Sequence, residues 1–184
     1  HADAASYLLR QGAMIDQAAA PFTSGTDLKI GQHRLWSTAL AGYLGTDGSS
    51  ETASSNEHSQ GLMIGLTQRF TEQLSAHAGF GYSRGNVGGA GGEVDTDWTF
   101  LTAGARYAPD GLERGLFVDA DANAGWLDYE SKRDLRGGLG TAKGDSHGNL
   151  SGATLALGYR VPVSGMILEP SLGVRVSHLN VSGF

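Results

Sequence analysis

Gly144-Asp145-Ser146-His147 is the stretch that most resembles catalytic machinery, because a Ser hydroxyl beside an imidazole is how an esterase activates its nucleophile. Such a Ser needs a strand, a sharp turn and a helix to hold it, and these residues sit in a polar loop pattern without that frame. His58, His77, His147 and His178 show no metal-ligand spacing and no dense acidic neighbourhood. Residues 85–92, Gly-Asn-Val-Gly-Gly-Ala-Gly-Gly, are followed by neither Lys-Ser/Thr nor a helix, so they form no phosphate cradle. Were the chain an enzyme, Asp95, Asp97, Asp128 and His147 would be the hydrolytic set to test. No catalytic residue, metal site or cofactor is expected.

The elements that carry these residues are more telling. In residues 74–84, Leu74, Ala76, Ala78, Phe80 and Tyr82 alternate with Ser75, His77, Gly79, Gly81 and Ser83. A period of two is a strand. The pattern recurs over 116–129, 150–161 and 168–178, and strands near 34–44, 60–70 and 97–107 bring the candidates to seven. Soluble strands typically hold about five or six residues, whereas a tilted strand crossing a bilayer needs about nine to eleven. These are long enough to span.

Their connections alternate as well. Residues 70–73, 108–111 and 161–165 read as tight turns, and 45–59, 84–95 and 130–149 as long polar loops. Short turns on one side and long loops on the other are the habit of outer-membrane barrels, and they disfavour a soluble sandwich or lectin-like module. With 29 Gly and a mean hydropathy of −0.21, the chain has no apolar run long enough for a transmembrane helix. If it spans, it spans as a barrel. A net charge of −6 with no basic cluster argues against nucleic acid, and the lack of Cys is compatible with the envelope.

Residues 1–21 obey a different period. Ala5, Leu8, Leu9, Gly12, Ile15 and Ala19 recur at helical spacing, Asp3 favours the N-terminal end of the dipole, and Pro21 is expected to end the helix. Residues 22–33 follow as a polar linker, then the strand region 34–184.

A helix, a polar linker, a first strand opening with Arg34-Leu35-Trp36-Ser37 and repeated Gly-aromatic strands together resemble the translocator domain of type V autotransporters. Residues 115–129 are similar to a mid-barrel strand of that family, and 168–179 to the strand after the next short turn. The resemblance implies an all-β, transmembrane, antiparallel up-and-down barrel of about twelve strands when complete, with the helix in its lumen. It also implies a Gram-negative outer-membrane translocator and anchor supporting secretion of an N-terminal passenger. The partners implied are outer-membrane lipids, the covalently linked passenger and the barrel assembly machinery. With about seven strands, the chain is expected to lack C-terminal strands, and the absence of a leader before His1 suits an excised piece. Ser182 and Asn180 break the alternation that a terminal Phe signature at Phe184 would need. A small porin and a barrel enzyme are the rival readings.

Lipid-facing Arg or Lys near the bilayer midplane costs about 2–4 kcal/mol, so charged strand residues should point inward. The expected polar lining of a water-filled lumen is His77, Arg106, Asp119, Asp121, Asn123, Arg160, Glu169 and Arg175. In the family, acidic lumen residues are linked to self-cleavage. Here Asp119 and Asp121 instead read as lumen solvation paired with Arg106, Arg160 or Arg175, and the helix has no Asn-Asn pair. Trp36, Tyr43, Tyr82, Trp98, Tyr107, Trp126 and Tyr129 are expected to form the membrane-interface girdles. Lys132, Arg133, Arg136 and Lys143 have the charge to meet lipopolysaccharide, and read more simply as a solvated loop.

Overall fold

The computed structural model describes residues 2–46, 55–89, 92–134 and 141–181. One helix, α1 (Ala2–Thr23), precedes eight strand segments. These are β1 (His33–Thr46), β2 (Ser55–Arg69), β3 (Leu74–Gly89), β4 (Gly92–Tyr107), β5 (Gly115–Asp134), β6 (Thr141–Val163), β7 (Met166–Leu168) and β8 (Ser171–Val181). Each strand from β1 to β6 pairs antiparallel with the next, and β6 pairs with both β7 and β8. The result is one meandering sheet in which β1 and β8 each have a single strand neighbour among the described residues.

β7 and β8 correspond to one expected strand, interrupted at Glu169-Pro170, where proline cannot donate to a ladder. The β6–β7 hairpin turns on Ser164 and Gly165, with φ of 45° and 87°, the positive pair that a two-residue type I′ turn demands.

The long loops expected at 45–59, 84–95 and 130–149 are corrected: β1 to β6 run far into them as paired hairpins. Side-chain alternation stops there because no lipid lies on either side, while backbone pairing continues regardless. Pro21 lies inside the last turn of α1 rather than at its end. So close to the C-terminus it removes a single helical hydrogen bond, and its fixed φ suits the helix.

The outer face of the sheet is apolar. Leu62, Ile64, Phe80, Leu101, Trp126, Leu155, Leu157, Leu172, Val174 and Val176 are all exposed on it. On β5 this face runs from Leu116 to Trp126, which at the usual strand rise and a tilt of about 40° covers about 25 Å, the height of a barrel's apolar band. Phe70, Tyr107 and Tyr159 edge the band at the tight-turn end, and Tyr43, Tyr82 and Trp126 at the hairpin end.

Two expected girdle residues are corrected. Trp36 and Trp98 are 6% and 3% exposed and face the concave side. Each occupies an even position in a strand whose even residues point inward, so strand-end location alone misleads. The side chains of Tyr129, Arg133 and Lys143, with Arg136 and Phe184 entire, lie outside the described residues.

Large inward rings lie over glycines on neighbouring strands. Trp36 opposes Gly65 and Phe100 opposes Gly81 in the register. A Cβ at either glycine would come within 2.2 Å of the ring. Phe117 covers Gly158 and Trp98 covers Gly125 in the same way. The abundance of glycine in these strands is therefore packing space, cut to the shape of an aromatic ring. Gly65→Val is expected to destabilise the sheet by about 1–3 kcal/mol through overpacking. A lowered urea midpoint, with the outward control Ala78→Val near the parent, is the measurement.

Candidate functional site: the helix-filled lumen

The register aligns inward residues of successive strands into rows across the sheet. One row holds Arg34, Thr67, His77, Gly104, Asp121, Thr154 and Arg175. The next row toward the tight turns includes Ser75, Arg106 and Asp119. In the other direction the rows become apolar: Met63, Phe100, Leu150 and Leu179, then Leu40, Trp98 and Leu127. A uniformly polar, water-filled lumen is thus corrected to a charged half near the turns and an apolar belt beyond it.

The helix exploits both. Ile15 and Ala19 are buried in one cluster with Trp36, Leu40, Met63, Trp98, Phe100, Leu127 and Leu150, joined by Met14, Ala18 and Phe22. Phe22 stacks on Trp36 with centroids 5.6 Å apart and planes 11° apart. This apolar stripe makes the lumen a fitted socket. It also gives the helix a direction: Phe22 lies by the turn-side Trp36, whereas Met14 approaches Ser59 farther along the wall. At 1.5 Å per residue the helix is about 33 Å long, and its N-terminal end points toward the long hairpins.

Asp16 supplies the polar lock. Its carboxylate accepts hydrogen bonds from Asn123 on β5 at 3.0 Å and Thr154 on β6 at 3.1 Å, and forms an ion pair with Arg175 on β8. Arg175 is held in turn by Ser177 and Thr154. At the other end of the helix, the Phe22 carbonyl accepts from the Arg34 guanidinium at 2.9 Å and the Thr67 hydroxyl at 2.8 Å. A cation beside terminal carbonyls favours the negative end of the dipole.

All eight residues expected to line the lumen lie on the inner side. Arg106 grips Asp119 through two bonds of 2.7 Å, rests 3.9 Å over the Phe117 ring and reaches Glu169 at 3.0 Å. Arg160 meets the same Glu169 carboxylate at 2.6 Å. Asp119 therefore takes its expected arginine, and Arg175 is committed to the helix. Asp121 instead faces His77 at 3.3 Å. Gly104 permits this, because a Cβ there would lie 2.2 Å from the Asp121 oxygen.

Sequence reasoning passed over Asp16, Arg34, Thr67 and Ser75 as site residues. The available signal for the three strand residues was their share of the parity that carries His77 and Arg175. Asp16 was legible only as one of several polar helix residues.

Outside the lumen, His147 and Asp128 meet at 2.5 Å, yet both are exposed and lie on the outward face. Ser146, on the opposite face and buried, is no nucleophile for that pair. Asp95 accepts from Lys132 at 3.3 Å, and Asp97 takes Arg84 at 2.9 Å. Tyr82 donates to the same Asp97 carboxylate. Of the four expected rim residues, Asp97, Asp128 and His147 thus stand side by side in one outward row, with Asp97 bonded to Arg84 and Asp128 to His147, while Asp95 lies two residues farther along β4 against Lys132. Among the described residues, no group of three or more His, Asp or Glu is gathered as a metal ion would need.

The family description "Autotransporter beta-domain" matches residues 35–184. Among solved structures, the translocator domain of autotransporter NalP from Neisseria meningitidis superposes with a TM-score of 0.79 at 19% sequence identity. The match covers 97% of this chain and 60% of that one. No curated protein sequence matches.

Asp16→Ala removes a carboxylate with three partners, a loss of about 1.5–3 kcal/mol for hydrogen bonds to a charged group. A shift of about 2 kcal/mol raises the helix-out population about 30-fold. Cleavage of the helix by added protease in the closed barrel should rise correspondingly, and Asp16→Asn should give a smaller increase.

Proposed function

This chain belongs to the autotransporter β-domain family, and we propose that it anchors and conducts an N-terminal passenger to the cell surface. It is a β-barrel domain of the Gram-negative outer membrane. The observation that carries the transport reading is the helix: it occupies the lumen and runs from the turn side toward the hairpin side. A polypeptide continuing upstream of Ala2 would then emerge among the long hairpins, the side that outer-membrane barrels present to the exterior. The linker returns the chain to β1 at the tight-turn, periplasmic end.

Secretion follows from the two faces. The apolar exterior holds the sheet in lipid, and the interior offers hydrogen-bonding groups to an extended passenger strand that hydrocarbon would not accept. Once the passenger has passed, the helix seats on the apolar belt and Asp16 locks it. An open sheet edge is not tolerated in a bilayer, so further strands are required to pair β1 and β8 and close the wall. The barrel assembly machinery is the natural agent of that closure, and lipids cover the outer band. The barrel itself has no catalytic role in this reading: Asp119 is tied to Arg106, and the helix offers Asp16 rather than an Asn-Asn pair. A plain small-solute porin would leave its lumen open, whereas this lumen is occupied.

An epitope fused ahead of Ala2 in the closed barrel should become accessible to antibody on intact cells. A signal seen only after outer-membrane permeabilisation would contradict the proposed orientation.

A further inference from the structure

The helix is not the sole obstruction in the lumen. Beyond Thr23 the polar segment 24–28, expected as a mere linker, is fastened along its length to the wall. Ser75 on β3 donates to the Ser24 carbonyl at 2.7 Å, and Arg69 at the end of β2 donates to the Leu28 carbonyl at 2.9 Å. Arg160 on β6 donates to the Thr26 hydroxyl at 3.0 Å. Asp27 pairs with Arg34 on β1, and the Ser24 and Thr26 hydroxyls share a bond of 3.2 Å.

The turn within the segment is built for close approach. Leu28 N–H donates to the Gly25 carbonyl at 3.2 Å, and Gly25 is buried with φ of 61°. A Cβ on Gly25 would lie 2.8 Å from the Ser75 Cβ and 3.4 Å from the Thr67 methyl. A left-handed conformation and a wall this near both select glycine.

Thr26 also joins this segment to a charged lattice. Arg160 shares Glu169 with Arg106, which holds Asp119, so β4, β5, β6 and the β7–β8 connection are cross-linked at the same end of the lumen. Fixed at once to β1, β2, β3 and, through Arg160, to β6, the segment reaches between the two halves of the curved sheet. We propose that residues 24–28 form a second closure of the pore, at its periplasmic mouth, separate from the helix plug. The two share Arg34, which reaches both the Phe22 carbonyl and Asp27, but otherwise differ: the helix depends on apolar contacts and Asp16, the strap on Ser75, Arg69 and Arg160. Loss of the helix alone therefore leaves the mouth constricted.

The proposal rests on the conduit reading, and deletions made in the closed barrel separate the two. Single-channel conductance in planar bilayers is compared for barrels lacking residues 1–20 and residues 1–32. The strap predicts low conductance after the shorter deletion and a severalfold rise after the longer one. Equal, fully open conductance in both would overturn the strap and leave the conduit standing. No conductance in either would overturn the conduit and the strap with it. Gly25→Val added to Asp16→Ala in the full barrel gives an independent check should a deletion fail to assemble. It should dislodge the strap and raise the conductance of the helix-out events severalfold over Asp16→Ala alone, whereas unchanged conductance in folded barrels would overturn the closure.

Discussion

Hydrocarbon offers no hydrogen bonds, so every amide that enters it must be satisfied by the protein itself. The long antiparallel ladders from β1 to β8 meet that demand strand by strand. Everything else follows from having one sheet with two different solvents. Residues of one parity meet lipid and are apolar; those of the other parity meet the interior and are free to vary. That freedom is used in rows: charged residues near the tight turns, an apolar belt farther along, and glycines where an aromatic ring must lie flat on a neighbouring strand.

The helix and the wall are complementary because of this zoning. A wholly polar lumen would hold α1 by hydrogen bonds that water could replace. An apolar belt gives it a hydrophobic reason to stay, and the charged rows supply orientation through Asp16 and the capped Phe22 carbonyl. Burying an unpaired carboxylate is costly, so Asp16 is tolerated only in the register that meets Arg175, Asn123 and Thr154. The linker adds its own fastenings, and the interior closes in stages along the axis.

Much of this was legible in the sequence. Period-two alternation in 74–84 and 116–129 disclosed the strands and their lipid face, and the inward charges followed from the penalty for exposing them to lipid. Long polar stretches misled because alternation is imposed by lipid: where strands rise above the membrane, they keep pairing without it. Trp36 and Trp98 misled because an aromatic near a strand end serves equally as a girdle or as an inner ring, and only parity against Gly65 and Gly125 separates the two. Asp16 was hidden for another reason. Its partners lie on β5, β6 and β8, more than a hundred residues downstream, and no local pattern encodes such a meeting.

The division into two faces is tested most directly by single-Cys labelling along β6 in membranes. Cys at Leu155 and Leu157 should react with a lipid-soluble maleimide and resist a water-soluble one, while Cys at Thr154 and Ala156 should show the reverse preference. The same preference at all four positions, or the opposite alternation, would contradict the account.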